Sequence, residues 1–286
     1  MRRMIHATPT TLGTAAATGE AEFCRIGCVG FLNALPLIHG ASDWGDMDVT
    51  FDVPSRLLDR LLADEIDLAL CPVIDYFTSP QPLRVVPVGG IGCAGRTLTV
   101  RLFSRVPPEQ VHAARVDSDS HTSINLLRVI FAERFGRAID ITPFDARLES
   151  ADAAGEAMLL MGDKVVTAEP SRRTYPFQID LGEAWRELTG LPFVFAVWMA
   201  KRRTALGDVP HRLDELKRRN LDRIDDLIET AAPANHWPID VARIYLTQLL
   251  CYDIGPRQLQ AIERFALLAH RHGLIDSPRP LDCRPS

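Results

Sequence analysis

From about residue 23 to residue 201 the chain repeats one pattern: short apolar runs rich in Val, Ile and Phe, each followed by a stretch with helical spacing. That alternation restricts the fold to the α/β class, because strand runs this apolar must be covered on both faces and the intervening helices supply the cover. Strands are expected at residues 23–31, 48–53, 67–71, 83–88, 97–104, 114–118, 138–143, 157–161, 177–181 and 193–201. Between the second and third, "PSRLLDRLLADE" places Leu57, Leu58, Leu61 and Leu62 on one helical face, with Pro54 suited to the first turn. After residue 201 the spacing is helical throughout.

A chain of 286 residues has room for two lobes of roughly 100–150 residues each. Two stretches read as crossings between them. "LFSRVPPEQ" carries a Pro pair that blocks strand continuation, and "FVFAVWMAKR" is a long apolar strand ending in charge. The expected lobes are therefore residues 21–104 plus 202–286, and residues 105–201, with a ligand cleft between them at the carboxyl ends of strands. Residues 1–20 lack a continuous apolar core of roughly 7–15 residues and read as a disordered leader rather than an export signal, so a cytoplasmic protein is expected. No segment approaches the roughly 20 uninterrupted apolar residues of a membrane span.

The net charge of −5 leaves no global basic field for nucleic acid or an anionic membrane, so any anionic ligand has to be captured locally. The six cysteines are scattered as in a reducing compartment. Cys24 and Cys28, on one strand, would lie about 13 Å apart at roughly 3.3 Å per residue, which rules out a metal half-site. His270 and His272 in "AHRHG" read as a solvated last helical turn. No metal and no cofactor are expected.

Two places carry polar chemistry. Asn33 interrupts the apolar stretch "CVGFLNALPL", where an unpaired buried amide costs about 1–3 kcal/mol. It is either a helix cap or a ligand contact. In "RVDSDSHTSINLLRVIF" a strand ends at Asp117, the polar residues Ser118, Asp119, Ser120 and His121 follow, and Thr122 and Ser123 open a helix. One cap needs one hydroxyl, so the cluster points to carboxylate binding at the helix amino terminus.

In order along the chain, "RIGCVGFLNALPL", "DLALCPVIDYF", "DSHTSINLL", "LLMGDKVV" and "DLGEAWRELTGLPFVFAVW" resemble the chorismate dehydratase family of the futalosine route to menaquinone. The resemblance runs from about Arg25 to about Lys201, with the helical tail fitting more loosely. It implies a two-lobed fold like the type II periplasmic binding proteins, and a lyase that converts chorismate to 3-enolpyruvoylbenzoate and water. It makes Asn33 a substrate contact and puts Thr99, in "GCAGRTLT", at the position of an active-site Ser. Ala94 and Arg96 depart from the family's Asp and Pro in that loop. Ser120, His121, Thr122 and Ser123 fall at the substrate-holding helix start, and Asp163 at a carboxylate that either faces the cleft or anchors its own loop through Lys164 or backbone donors. The motifs offer no strong base, so the enolpyruvyl carboxylate of the substrate is expected to take the proton, with Asp163 as the alternative.

Two rival readings remain. A dihydroxynaphthoate synthase-like enzyme of the same pathway would carry a His where this chain has Gly162, and a "PND" turn where it has "LNALP". A small-anion binding protein without chemistry would need the export signal that residues 1–20 do not supply. Oligomeric state is left open at this level.

Overall fold

A computed structural model of the chain describes residues 23–117, 119, 121–144 and 155–284. The chain starts with β1 (Cys24–Val29), passes through a single 3-10 turn (Leu32–Ala34) into the short helix α1 (Leu35–Ile38), and returns as β2 (Met47–Asp52), parallel to β1. Helix α2 (Pro54–Leu62) has Pro54 in its first turn and buries Leu57, Leu58 and Leu61, while Leu62 stays half-buried. It leads to β3 (Leu68–Pro72), fully buried and parallel to β1, then to α3 (Asp75–Thr78) and β4 (Leu83–Cys93).

The next five strands build a second sheet. They are β5 (Val100–Ser104), β6 (Ala113–Asp117), β7 (Asp140–Phe144), β8 (Ala157–Met161) and β9 (Phe177–Asp180), in the order β7-β6-β8-β5-β9. Helices α4 (His121–Phe135), α5 (Lys164–Thr167) and α6 (Leu181–Thr189) connect or follow them. The chain then returns to the first sheet as β10 (Phe193–Lys201). The helices α7 (Val209–Asp222), α8 (Ile224–Ala234) and α9 (Ile239–Ile244) follow, then the short β11 (Leu250–Cys251) and α10 (Pro256–Arg271). The first sheet has the order β11-β4-β10-β3-β1-β2.

Three expectations are corrected here. The expected strand ending at residue 88 runs on to Cys93, because the glycines that read as a loop let β4 and β10 lie close: a Cβ at Gly90 would sit 2.6 Å from the Ala196 carbonyl, and one at Gly92 2.7 Å from that of Phe193. Residues 100–104 belong to the second sheet and residues 193–201 to the first, so the chain crosses between sheets at residues 94–99 and 190–192 rather than after residues 104 and 201. The Pro pair only ends β5, and β10 is long and apolar because it is an interior strand, antiparallel to both β3 and β4. Finally, the helical tail contributes β11, which pairs with the far end of β4.

One hydrophobic core runs through both sheets. At its centre Trp185 of α6 packs edge-on against Phe193 at 5.2 Å and Phe265 of α10 at 6.0 Å, and its indole donates to the Pro192 carbonyl at 2.9 Å. Such aromatic pairs contribute about 0.5–1.5 kcal/mol each beyond their buried area, which firmly ties the crossing segment to the tail.

Candidate functional site

Where the chain crosses between the sheets, a small, partly open cavity is lined by Phe31 and Asn33 from the turn after β1, Thr99 ahead of β5, Ser123 of α4, Gly162 after β8, and Tyr245 from the tail. Its walls are otherwise mostly apolar, and the free space is about 60 Å3. Asn33 lies in the 3-10 turn between the buried Leu32 and Ala34 and is itself half-buried. It is no helix cap: α1 has Ala34 at its N-cap and no side-chain cap bond. Its Oδ1 is buried without a hydrogen-bond partner.

Thr99 is held by a carboxylate outside the cavity. Asp180 caps α6 by accepting from the N–H groups of Gly182 at 3.1 Å and Glu183 at 3.2 Å, and it also accepts from those of Thr97 at 2.9 Å and Leu98 at 2.8 Å. These bonds hold Leu98 at φ +68°, a left-handed conformation that costs a β-carbon residue roughly 1–3 kcal/mol, and so aim Thr99 at the cavity. Thr99 Oγ1 lies 2.7 Å from the hydroxyl of Tyr245. Ala94 and Arg96 are exposed and do not line the cavity, so their departures leave its walls unaltered. Sequence reading missed Tyr245, which lies 146 residues from Thr99. The cap at Asp180 was findable from "DLGE", in which Glu183 follows at the capping-box distance.

The polar helix start divides. Ser123 reaches the cavity. Thr122 is buried and its Oγ1 accepts from the Ile74 N–H at 3.2 Å, so that hydroxyl oxygen joins the two sheets. His121, which itself opens α4, places Nδ1 2.8 Å from Oδ1 of the buried Asp75 and is not among the cavity-lining residues. Pairing with Asp75 raises the His121 pKa, while burial raises that of Asp75 more than His121 lowers it. Ser120 lies outside the described residues.

Asp163 is half-buried beside Gly162. Burial raises its pKa to about 6, against the lowering effect of the Leu32 backbone N–H nearby. The Trp237 indole faces the same carboxyl and lowers it further, although no acceptor lies in hydrogen-bonding geometry of its buried nitrogen. Lys164 does not pair with Asp163 as one expectation had it; it reaches back to Asp117 and to Asp119, the latter at 3.0 Å. Of the two anchors considered, the lysine is engaged elsewhere.

A larger depression of about 870 Å3 lies at the opposite ends of β4 and β10. It is an open trough in which Asp282 pairs with Arg202 at 3.0 Å and Arg284 at 2.8 Å, and Arg84 is engaged by the Thr204 carbonyl. Five basic side chains (Arg84, Lys201, Arg202, Arg203 and Arg284) line it against the single acid Asp282, and Nε of Arg84 is buried without a hydrogen-bond partner. Among the described residues no group of three or more His, Cys, Asp or Glu is placed to hold a metal, and no helix is long and apolar enough to cross a membrane. The smaller cavity offers hydroxyls and an amide in an apolar surround, which suits orienting a ligand and stabilising charge more than abstracting a proton with a strong base.

Comparisons with known proteins agree with this geometry. The chorismate dehydratase of Thermus thermophilus is 27% identical over 222 residues, covering 72% of this chain and 81% of that protein. Among solved structures, protein AF1704 of Archaeoglobus fulgidus superposes with a TM-score of 0.68 at 10% identity, covering 88% of this chain and 98% of its own. The aliphatic sulphonate binding protein SsuA of Escherichia coli gives 0.61 at 17% identity, covering 93% of each. At these identities the two structures establish the fold, that of the periplasmic binding proteins. The family model for menaquinone biosynthesis matches residues 24–271, a span that takes in both sheets and every residue lining the cavity, and the chain belongs to that family.

Proposed function

We propose that this protein is a chorismate dehydratase, a carbon–oxygen lyase that removes water from chorismate to form 3-enolpyruvoylbenzoate. The observation that carries this reading is the meeting of Asn33 and Thr99, the two positions named by the motif resemblance, in one cavity where the Asn33 oxygen is buried and unpaired. The relative from Thermus thermophilus bears the same activity in its name.

The reaction removes the hydrogen on ring carbon 3 and the hydroxyl on carbon 4, and aromatisation drives it. When the proton leaves first, the electron pair of the C–H bond delocalises towards the ring carboxylate, and donors aimed there stabilise the transition state. Ser123 in the first turn of α4 is placed for that carboxylate. Among the described residues no carboxylate or imidazole lines the cavity, so the substrate's enolpyruvyl carboxylate takes the proton, and the carbon 4 hydroxyl leaves with it as water. The sister activity is disfavoured by Gly162, whose φ of +70° would strain a histidine placed there.

Incubating the purified chain with chorismate, without added cofactor, and following the ultraviolet spectrum and product mass tests the proposal. An aromatic product lighter than chorismate by one water is expected. Chorismate recovered unchanged would overturn it.

A further inference from the structure

The trough at the ends of β4 and β10 remote from the cavity is built around a buried charge. Arg84 is the second residue of β4, set between the buried Leu83 and Val85, and is itself only 4% exposed. The tail of the chain closes over it: the Asp282 carbonyl accepts from the Val85 N–H at 2.7 Å, which brings that segment against the start of the strand. The guanidinium is thereby caught between two carbonyls. Nη2 donates to that of Thr204, in the segment after β10, at 2.8 Å, and Nη1 to that of Arg284 at 3.5 Å. Each terminal nitrogen carries two hydrogens, so one on each is still unused, and Nε is buried without a partner. Among the described residues Arg84 forms no ion pair. Burial lowers its pKa, and the charge that opposes this is Asp282.

The surrounding groups do not supply the missing counter-charge. Of the cations lining the trough, Lys201 pairs with Asp64, and Asp282 is shared by Arg202 at 3.0 Å and Arg284 at 2.8 Å. The Arg203 side chain is exposed and has no hydrogen-bond or ion-pair partner among the described residues. Arg84, Arg203 and one of the two arginines on Asp282 are therefore left over. A neighbouring depression that shares Arg202, Asp282 and Arg284 adds Arg279, which donates to the Phe77 and Ser79 carbonyls, and adds no acid. A buried charge is costly unless an opposite charge lies beside it.

We propose that this trough is a binding site for a small anion that carries two or more negative charges on phosphate or carboxylate groups, with Arg84 at its floor and Arg202, Arg203 and Arg284 at its rim. Such an anion supplies the absent counter-charge and presents paired oxygens to the planar, forked donors of several guanidinium groups. The volume of about 870 Å3 is that of a small-molecule site, and a net charge of −5 on the chain works against a long polyanion such as a nucleic acid. No residue of the trough lines the cavity, so this site and the reading of the cavity stand or fall separately.

Calorimetric titration and thermal denaturation of the full chain with pyrophosphate and with citrate test this, in about 0.15 M sodium chloride so that distant charges are screened. One equivalent of at least one probe should bind saturably and raise Tm, and the tighter of the two identifies the group recognised. Failure of both to bind would overturn the proposal. Arg203→Gln, at an exposed position, should weaken binding about tenfold with the Tm of the free protein unchanged, and Arg203→Glu should weaken it further. Arg84→Met should abolish binding while the Tm of the free protein stays the same or rises, because the uncompensated charge is gone. Asn33→Leu, in the cavity, should bind the probe as wild type does. Wild-type affinity in the Arg203 or Arg84 variants, or a loss confined to Asn33→Leu, would place the anion elsewhere and overturn the assignment. If Arg84→Met fails to fold, the two Arg203 variants and Asn33→Leu decide the matter by themselves.

Discussion

A buried acceptor without a partner costs about 1–3 kcal/mol, and Asn33 Oδ1 carries such a cost in the free protein. Replacing it with a side chain of similar volume and no polar atoms, Asn33→Leu, should therefore leave stability unchanged or raise it by about 1 kcal/mol while abolishing turnover. Denaturant titration and the chorismate assay read the two effects separately, and a destabilised but active variant would contradict the role given to this amide. Thr99 obeys a different logic, since its hydroxyl both shares a hydrogen bond with that of Tyr245 and faces the cavity. Thr99→Ser keeps the oxygen and should retain activity; Thr99→Val removes it, strands the phenol, and should cost roughly 1–3 kcal/mol in transition-state energy. Equal kcat/KM in the two variants would show that the hydroxyl is idle.

Asp180 matters at the scale of elements because one carboxylate ends β9, starts α6 and fixes the turn that delivers Thr99. Asp180→Ala should cost about 1–2 kcal/mol for the lost cap alone. It should also lower kcat more than Asp180→Asn, which keeps one accepting oxygen. Melting curves and kcat measured on both variants check this, and an Asp180→Ala enzyme with full kcat would mean that the turn needs no such brace. The glycines of β4 teach a related lesson. The ten expected strands are all present, because each is a local apolar run. The far end of β4 was illegible because its reason for being glycine is the Ala196 and Phe193 carbonyls of a strand about a hundred residues later.

At the scale of the molecule, polar contacts tie distant segments together near the crossing: Thr99 with Tyr245, Thr122 with the Ile74 N–H, and His121 with Asp75. Asp75 raises the His121 pKa, so the folded chain holds that proton more tightly than the unfolded chain. The stabilisation is complete below the ordinary histidine value of about 6.5 and is lost as pH rises through the higher folded value. Wild-type Tm should accordingly fall more steeply than that of His121→Asn above that pH, and parallel curves would discount the pair. Asp163 shows the same sign for a different reason: burial raises its pKa from 3.8 to about 6, so its ionisation costs stability as pH climbs through that window. Asp163→Asn should then be more stable near pH 7.5, on the order of 2 kcal/mol, with the advantage vanishing near pH 4 and turnover largely retained. A variant that binds chorismate and never turns it over would instead make Asp163 the base.

What the sequence determined by itself was whatever local pattern can encode: the α/β class from alternating apolar runs, the Leu57, Leu58 and Leu61 face of α2, and the five ordered motif blocks with Asn33 among them. What the tertiary structure alone decided was which distant groups meet. It moved residues 100–104 and 193–201 each to the sheet opposite the one expected, split the polar helix start between the cavity and the sheet-to-sheet contacts, and brought Tyr245 and Trp237 from the helical tail onto Thr99 and Asp163. The physical reason is that hydrogen-bond polarity and desolvation depend on which groups surround a side chain, and the surroundings of Asn33 and Thr99 are assembled from segments more than two hundred residues apart in the chain.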